Sequence, residues 1–134
     1  MVVRLVRSEA PVCAASTVNL KRVVVVGISG AGKSTTARAI TAHAGGEHIE
    51  LDALFWGPNW TPKPEATFKS LVANAIASER WVVDGNYSVI REIVWPQATT
   101  VVWLNLSFPV VFWQVLRRTL IRAFNHQELW QGNR

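Results

Sequence analysis

One nine-residue stretch constrains the fold of this 134-residue chain more than any other feature. Residues 27–35 read Gly-Ile-Ser-Gly-Ala-Gly-Lys-Ser-Thr, and they lie between a run of four valines and an alanine-rich helical pattern. This order of strand, glycine-rich turn and helix is the context in which the pattern G-x-x-x-x-G-K-S/T binds phosphate groups. Because glycine accepts backbone angles that other residues avoid, successive N–H groups can curl around an anion. The stretch predicts a phosphate-binding loop.

Each polar position of this phosphate loop has a predicted role toward a nucleoside triphosphate, which we take to be ATP. Lys33 would place a positive charge on the phosphates, and the hydroxyl of Ser34 would bind Mg²⁺. The helix that follows would add the positive end of its dipole. The predicted binding residues are Gly27, Ser29, Gly30, Ala31, Gly32, Lys33, Ser34 and Thr35.

Length and composition are those of a single globular domain. The chain is 49% hydrophobic over 134 residues, which is enough to bury a core. No apolar run reaches the roughly 20 residues that span a bilayer, so no membrane partner is expected. The single Cys13 excludes an internal disulfide bond and favours a reducing compartment, so we expect a cytoplasmic protein. We expect residues 1–20 to be a flexible extension and residues 21–134 to be the domain.

The charge of the chain leaves two kinds of partner open. The formal net charge is +5, and basic residues are concentrated near both ends of the chain. A basic chain can bind nucleic acid. Arginines can equally collect around a polyphosphate, and the group formed by Arg117, Arg118 and Arg122 favours this second interpretation.

Hydrophobic periodicity predicts an α/β fold. Buried strands are predicted over 21–26, 48–51, 81–84 and 99–106, and helices over 33–44, 65–78 and from Pro109 onward. Strands that alternate with helices form a parallel sheet with helices on both faces. We therefore expect a three-layer P-loop NTPase fold with about four parallel strands and with the fifth strand missing.

Two aspartates are predicted to lie beyond the carboxyl ends of the strands, where ligands bind in such a sheet. Asp84 follows the third predicted strand and would bind Mg²⁺ together with Ser34. Alternatively, Asp84 and Gly85 only form a turn. Asp52 follows the second strand and would orient an acceptor hydroxyl and take its proton. An equally open alternative is that Asp52 caps a helix or turn.

An aromatic segment follows Asp52 along the chain. Phe55, Trp56 and Trp60 could form a wall on which a planar or sugar-like acceptor stacks. They could equally form a flap that covers the core. His48 is interpreted as structural, because the three histidines of the chain show no metal-ligand spacing.

Arginines are candidates for stabilising the charge of a transferring phosphoryl group. Arg118 and Arg122 lie four residues apart on the last predicted helix and would close over the triphosphate. With Lys33 and Asp52 they form the predicted catalytic set. The alternative for the two arginines is a solvated basic face. Arg91 is a candidate for binding the acceptor.

Several of these segments resemble small P-loop kinases of the adenylate kinase-like and shikimate kinase-like group. The phosphate loop, the Asp-Gly at 84–85 and the arginines after Pro109 carry this resemblance. More narrowly, the segments LDALFWGPNW, WVVDGNYS, TTVVWLNLSFPVVFWQVLRRTLIR and ELWQGNR are similar to bacterial adenylate kinase-like proteins often labelled topology modulation proteins. The resemblance implies a kinase fold and nucleotide binding, with Asp84 supporting Mg²⁺ and Asp52 contacting the substrate. Members of this group usually continue further, so we expect the segment that grips the base to be absent.

The sequence leaves three functions open. The first is transfer of the γ-phosphoryl group of ATP to a small-molecule acceptor that is nucleotide-like or bears a hydroxyl. The second is a non-catalytic nucleotide-binding regulator that touches DNA, and the third is a shortened, inactive remnant. A GTPase is not predicted, because no N/T-K-x-D motif for reading guanine is found.

Overall fold

The structure is a computed structural model, and it describes the backbone of residues 2–6, 18–105 and 108–125. Side chains are described for residues 18–105, 109, 110, 112, 113, 115–117 and 119–121. In these ranges, none of the helices has the length and apolarity that a bilayer span requires. The architecture is α/β, as the sequence predicts.

The described residues form five strands and five helices. The strands are β1 (Val2–Val6), β2 (Arg22–Gly27), β3 (Glu47–Glu50), β4 (Trp81–Asp84) and β5 (Thr100–Asn105). The helices are α1 (Lys33–Ala44), α2 (Leu51–Phe55), α3 (Glu65–Ala75), α4 (Arg91–Val94) and α5 (Phe108–Asn125). Short 3-10 turns cover Pro58–Trp60, Ser88–Ile90 and Trp95–Gln97.

The strands form one sheet in the order β1-β5-β2-β4-β3. Strands β2, β3, β4 and β5 run parallel to one another, which confirms the prediction of four parallel strands. The strand that precedes the phosphate loop lies between β5 and β4. Its Val25 is paired with Asp84 of β4, and Asp84 is in turn paired with Glu50 of β3. The register therefore brings the carboxyl ends of three strands to one edge of the sheet.

The fifth position in the sheet is filled by residues that the sequence assigned to an extension. Strand β1 pairs antiparallel with β5, from Val2 opposite Asn105 to Val6 opposite Val101. Without this pairing, the outer edge of β5 would present a row of unpaired backbone groups. The β-branched and apolar residues of β1 suit that position. Four such residues interrupted by Arg4, without a neighbouring turn signal, were too short a pattern to predict a strand from the sequence.

Apolar side chains fill both faces of the sheet. Along β2, Val23 and Val25 point to one face and Val24 to the other, and none of the three is more than 2% exposed. The first face packs against α1, where Ala37 is fully buried. The second face packs against α3, where Phe68 is fully buried. Helices therefore cover both faces of the sheet.

The boundary between β3 and α2 differs from the sequence prediction. The predicted strand runs through residue 51 to Asp52, but β3 ends at Glu50 and α2 begins at Leu51. Leu51 is 1% exposed and belongs to the core, so burial of this side chain fixes the turn into the helix. Asp52 consequently lies in the first turn of α2 rather than at a strand end. A carboxylate is favourable in the first turn of a helix, because its negative charge interacts with the positive end of the helix dipole.

Candidate functional site

The phosphate loop has the backbone conformation that its glycines predict. Gly30 and Gly32 have φ angles of 81° and 84°, in the left-handed region that disfavours side chains. Gly27 is restricted by space instead, because a Cβ atom there would lie 3.0 Å from the carbonyl oxygen of Leu104. The N–H of Ala31 donates to the carbonyl of Ile28 at 3.1 Å and closes the turn. The loop is therefore a tight curl at the end of β2.

Helix α1 begins directly after this curl with Lys33. Its N-cap residue is Gly32, so no side chain caps the N–H groups of the first turn. Such N–H groups and the helix dipole together attract anions. The ammonium group of Lys33 lies against the loop and donates to the carbonyl oxygen of Ile28 at 3.1 Å. Ser34 is half-buried and Thr35 is exposed.

Asp84 lies beside the strand of the phosphate loop and is buried. Its exposed fraction is 5%, and its backbone is paired with Val25, two residues before Gly27. Its carboxylate oxygen Oδ2 lies 3.0 Å from Nε2 of His48. A buried carboxylate is costly unless it has such a partner. The structure thus places Asp84 beside the strand that leads into the phosphate loop, and pairs it with a histidine that the sequence interpretation left out of the site.

A strand-end cluster is formed by His48, Glu50 and Asp84. The second ring nitrogen of His48, Nδ1, lies 3.8 Å from Oε1 of Glu50, and Glu50 accepts a hydrogen bond of 2.8 Å from Arg38 of α1. One potential ligand atom from each member lies within 4.8 Å of the others. The cluster therefore has donor atoms that suit a divalent cation.

Asp52 is hydrogen-bonded to a residue that sequence reasoning missed. The hydroxyl of Tyr87 donates to Oδ1 of Asp52 at 2.5 Å, a distance typical of a hydroxyl bound to an ionised carboxylate. Burial raises the pKa of the Tyr87 hydroxyl, and the hydrogen bond to Asp52 raises this pKa further. Tyr87 follows the turn after β4, so the pair joins this turn to the first turn of α2. The sequence did offer one sign of this contact, because Tyr87 comes only three residues after Asp84, the last residue of β4.

Because Tyr87 is the only tyrosine of the chain, its ionisation can be followed by ultraviolet absorbance of the phenolate. We expect the midpoint to lie above the ordinary value of about 10. In Asp52→Asn the midpoint should fall but stay above that value, because burial is the larger cause. An unchanged midpoint would contradict the contact.

The same contact predicts how stability depends on pH. The pKa of Tyr87 is raised in the folded state, so the unfolded state loses this proton first as the pH rises. The stabilisation is fully present below a pH of about 10 and is lost above it. Melting temperatures measured from below to above a pH of about 10 should fall less steeply with rising pH in Tyr87→Phe than in the wild type.

Phe55, the first of the three aromatic residues after Asp52, packs over the core. Phe55 packs edge-on against Phe68 at a centroid distance of 5.2 Å and lies 4.8 Å from Tyr87. Trp56 stands edge-on to Phe55 at 4.9 Å. Trp60 is 38% exposed, so it presents the most surface for contact with a ligand. Of the three residues predicted to form a binding wall, Phe55 therefore serves to pack against the core.

The segment that carries Trp60 has an unusual backbone. Asn59 and Trp60 have φ angles of 55° and 53°, in the left-handed region. A bulky residue rarely adopts this conformation, and strain of about 1–3 kcal/mol per residue persists only where its surroundings impose it. The N–H of Gly57 donates to the carbonyl of Thr61 at 2.8 Å and closes the loop around both residues. Residues held in this way are concentrated at binding sites.

Among the predicted arginines, Arg91 makes its described contacts with residues near it in the chain. The guanidinium of Arg91 donates to Oδ1 of Asn86 at 2.8 Å and lies 5.6 Å from the ring centre of Trp95. Arg117 is exposed on α5. The side chains of Arg118 and Arg122 lie outside the described residues, so their catalytic role stays a prediction.

A cleft of about 310 Å³ lies at the outer edge of the sheet, beside β3. Its lining includes His48 and Glu50 on the polar side and Leu54 and Ala75 on the apolar side. Neither the phosphate loop nor Asp52 lines this cleft. The cleft therefore adjoins the strand-end cluster, and it also contacts Ala53 and Leu54, the residues that follow Asp52 in α2.

Comparisons with known proteins do not identify a family for this chain. No model of a known protein family matches the sequence. A comparison with curated proteins gives no match either. The functional assignment therefore depends on the geometry of the site.

Proposed function

We propose that this chain is an ATP-dependent phosphotransferase with a P-loop NTPase fold. The observation that carries the proposal is the phosphate loop, with Gly30 and Gly32 in the left-handed region between a buried strand and an uncapped helix start. Lys33 supplies a positive charge at this loop, and Asp84 of β4 is paired with Val25 of the strand that leads into it. These are the parts with which P-loop enzymes bind a triphosphate.

The donor atoms of the site fit Mg²⁺. The hydroxyl of Ser34 and the carboxylate of Asp84 are oxygen ligands, which this hard cation prefers. Bound there with the nucleotide, Mg²⁺ would supply positive charge that offsets the charge of the phosphates. Lys33 and the N–H groups of the loop hold the phosphate oxygens in place. This part of the proposal agrees with the resemblance to adenylate kinase-like and shikimate kinase-like proteins.

The acceptor site is proposed at the pair formed by Asp52 and Tyr87. An ionised carboxylate has about four positions that accept hydrogen bonds, and Tyr87 uses one of them. Asp52 therefore retains capacity to bind an acceptor hydroxyl and to take its proton as the phosphoryl group is transferred. Trp60 provides an exposed aromatic surface for a planar or sugar-like acceptor. We propose a hydroxyl-bearing small molecule or a nucleotide as the acceptor.

The direct test is ADP release from ATP and Mg²⁺ with a panel of nucleotides, sugars and cyclic polyols as acceptors. We expect one class of acceptor to raise ADP release, and Asp52→Asn to lower the acceptor-dependent rate by about 100-fold, at the low end of general acid–base effects. Asp52→Asn should leave ATP affinity unchanged. A wild-type protein that binds no ATP would contradict the proposal.

A nucleic-acid partner and a cytoplasmic location stay hypotheses from charge and cysteine content. The net charge of +5 is compatible with a polyphosphate ligand as well as with DNA. A steep fall of DNA affinity with rising salt would support the DNA-binding alternative.

A further inference from the structure

We propose that His48 is a positioning residue that aims the carboxylate of Asp84 at the metal beside the phosphate loop. The proposal rests on the phosphotransferase function proposed above, and it adds residues that neither the motif nor the resemblance assigns. Three features of the strand-end cluster carry it: the register of the strands, the burial of the side chains and the contacts of the imidazole ring.

The register places His48 on the same side of the sheet as Asp84. Glu50 is paired with Asp84 across β3 and β4, so their side chains project to the same face. His48 precedes Glu50 by two residues, and side chains two apart in a strand share a face. The imidazole therefore reaches Asp84 from the neighbouring strand.

Asp84 is shielded from water, and its neighbours His48 and Glu50 are mostly buried. Side-chain exposure is 14% for His48, 20% for Glu50 and 7% for Asp84. Water competes weakly for hydrogen bonds in such a place, so a protein partner decides the orientation of the carboxylate. The terminal torsion of an aspartate side chain is broad in the absence of such a partner.

The contact with His48 restricts that torsion. Nε2 of His48 lies 3.0 Å from Oδ2 of Asp84, and because a carboxylate only accepts hydrogen bonds, Nε2 donates. A hydrogen bond to one oxygen of a carboxylate fixes the plane of the group. The direction in which the other oxygen points is then fixed as well. On the second side of the ring, Nδ1 lies 3.8 Å from Oε1 of Glu50, beyond hydrogen-bond distance, and Glu50 is itself held by a hydrogen bond of 2.8 Å from Arg38 of α1. Partners that orient metal ligands in this way commonly raise the affinity for the metal by about 10- to 100-fold.

The test measures the affinity for ATP by calorimetry, once with Mg²⁺ and once with a chelator. The ratio of the two dissociation constants is the magnesium enhancement. In His48→Leu, which cannot donate, we expect the enhancement to fall about tenfold, while the affinity in chelator stays unchanged. His48→Gln keeps an N–H donor and should recover part of the enhancement. A role in folding alone would lower the melting temperature without changing the enhancement.

Two further variants keep the test decisive. His43 is an exposed histidine on α1, so His43→Leu should leave the enhancement unchanged. The side chain of Arg38 is 68% exposed, so Arg38→Ala should fold even if His48→Leu does not, and it should lower the enhancement by a smaller factor.

The outcomes separate this inference from the proposed function. If the wild type binds ATP with a magnesium enhancement that folded His48 and Arg38 variants retain in full, the positioning role is wrong and the proposed function stands. If the wild type binds ATP equally well in chelator, the positioning role is likewise wrong. If the wild type binds no ATP at all, the proposed function fails and this inference fails with it.

Discussion

Replacing Lys33 by alanine is expected to lower the rate of phosphoryl transfer by about 100- to 1000-fold, the usual effect of removing one group that stabilises charge in a transition state. The ammonium group of Lys33 lies against the loop and donates to the carbonyl of Ile28 at 3.1 Å, so it is already close to the proposed phosphate positions. Binding of ATP with Mg²⁺ should weaken as well. Calorimetry and ADP release measure the two effects separately.

A surface lysine provides the matched control for this experiment. Lys69 forms an i,i+4 ion pair with Glu65 on α3, far along the chain from the loop. Lys69→Ala should leave both ATP affinity and turnover unchanged. Equal ATP affinity and equal turnover in Lys33→Ala and the wild type would rule out the proposed role of the phosphate loop.

Replacing Phe68 by alanine should cause a large loss of stability, about 3–5 kcal/mol in the free energy of unfolding. Phe68 is fully buried and contacts the rings of both Phe55 and Tyr87 at centroid distances of 5.2 and 5.3 Å. Truncation leaves a cavity beneath Tyr87, the partner of Asp52. Urea unfolding measures this loss of stability. The midpoint of the Tyr87 titration should also fall, because the cavity gives water more access to the hydroxyl.

Phe112→Ala is the control, because it makes the same phenylalanine-to-alanine change at an exposed position. The side chain of Phe112 on α5 is 56% exposed, so its truncation removes less buried surface than truncation of Phe68 does. The loss in the free energy of unfolding should therefore be smaller than in Phe68→Ala. Similar losses in Phe68→Ala and Phe112→Ala would mean that the aromatic cluster is not the packed core described above.

The sequence predicted the parts of the fold that depend on local patterns. A strand, a glycine-rich turn and a helix were placed correctly around Gly27–Thr35, because each is encoded by neighbouring residues. The bounds of α1 and β4 agree with the prediction, and four parallel strands were expected and are present. Element ends that depend on distant contacts were predicted less well, as at the junction of β3 with α2.

The role of the aromatic segment could not be decided from its residues. Phe55, Trp56 and Trp60 allow either a binding wall or a cover, because aromatic side chains serve both purposes equally well. Packing against Phe68 and Tyr87 makes Phe55 part of the cover, whereas Trp60 stays partly exposed. That difference arises from contacts between residues far apart in the chain.

The sequence by itself determined the glycine-rich turn of residues 27–35, since the residues that require its backbone angles lie within nine consecutive positions. Only the tertiary structure decided what surrounds it. Pairing of β3 with β4 brings His48 to Asp84, and the turn after β4 brings Tyr87 to Asp52, across 36 and 35 residues of chain. A sequence pattern records spacing along the chain, whereas these contacts depend on strand register and on which face each side chain occupies.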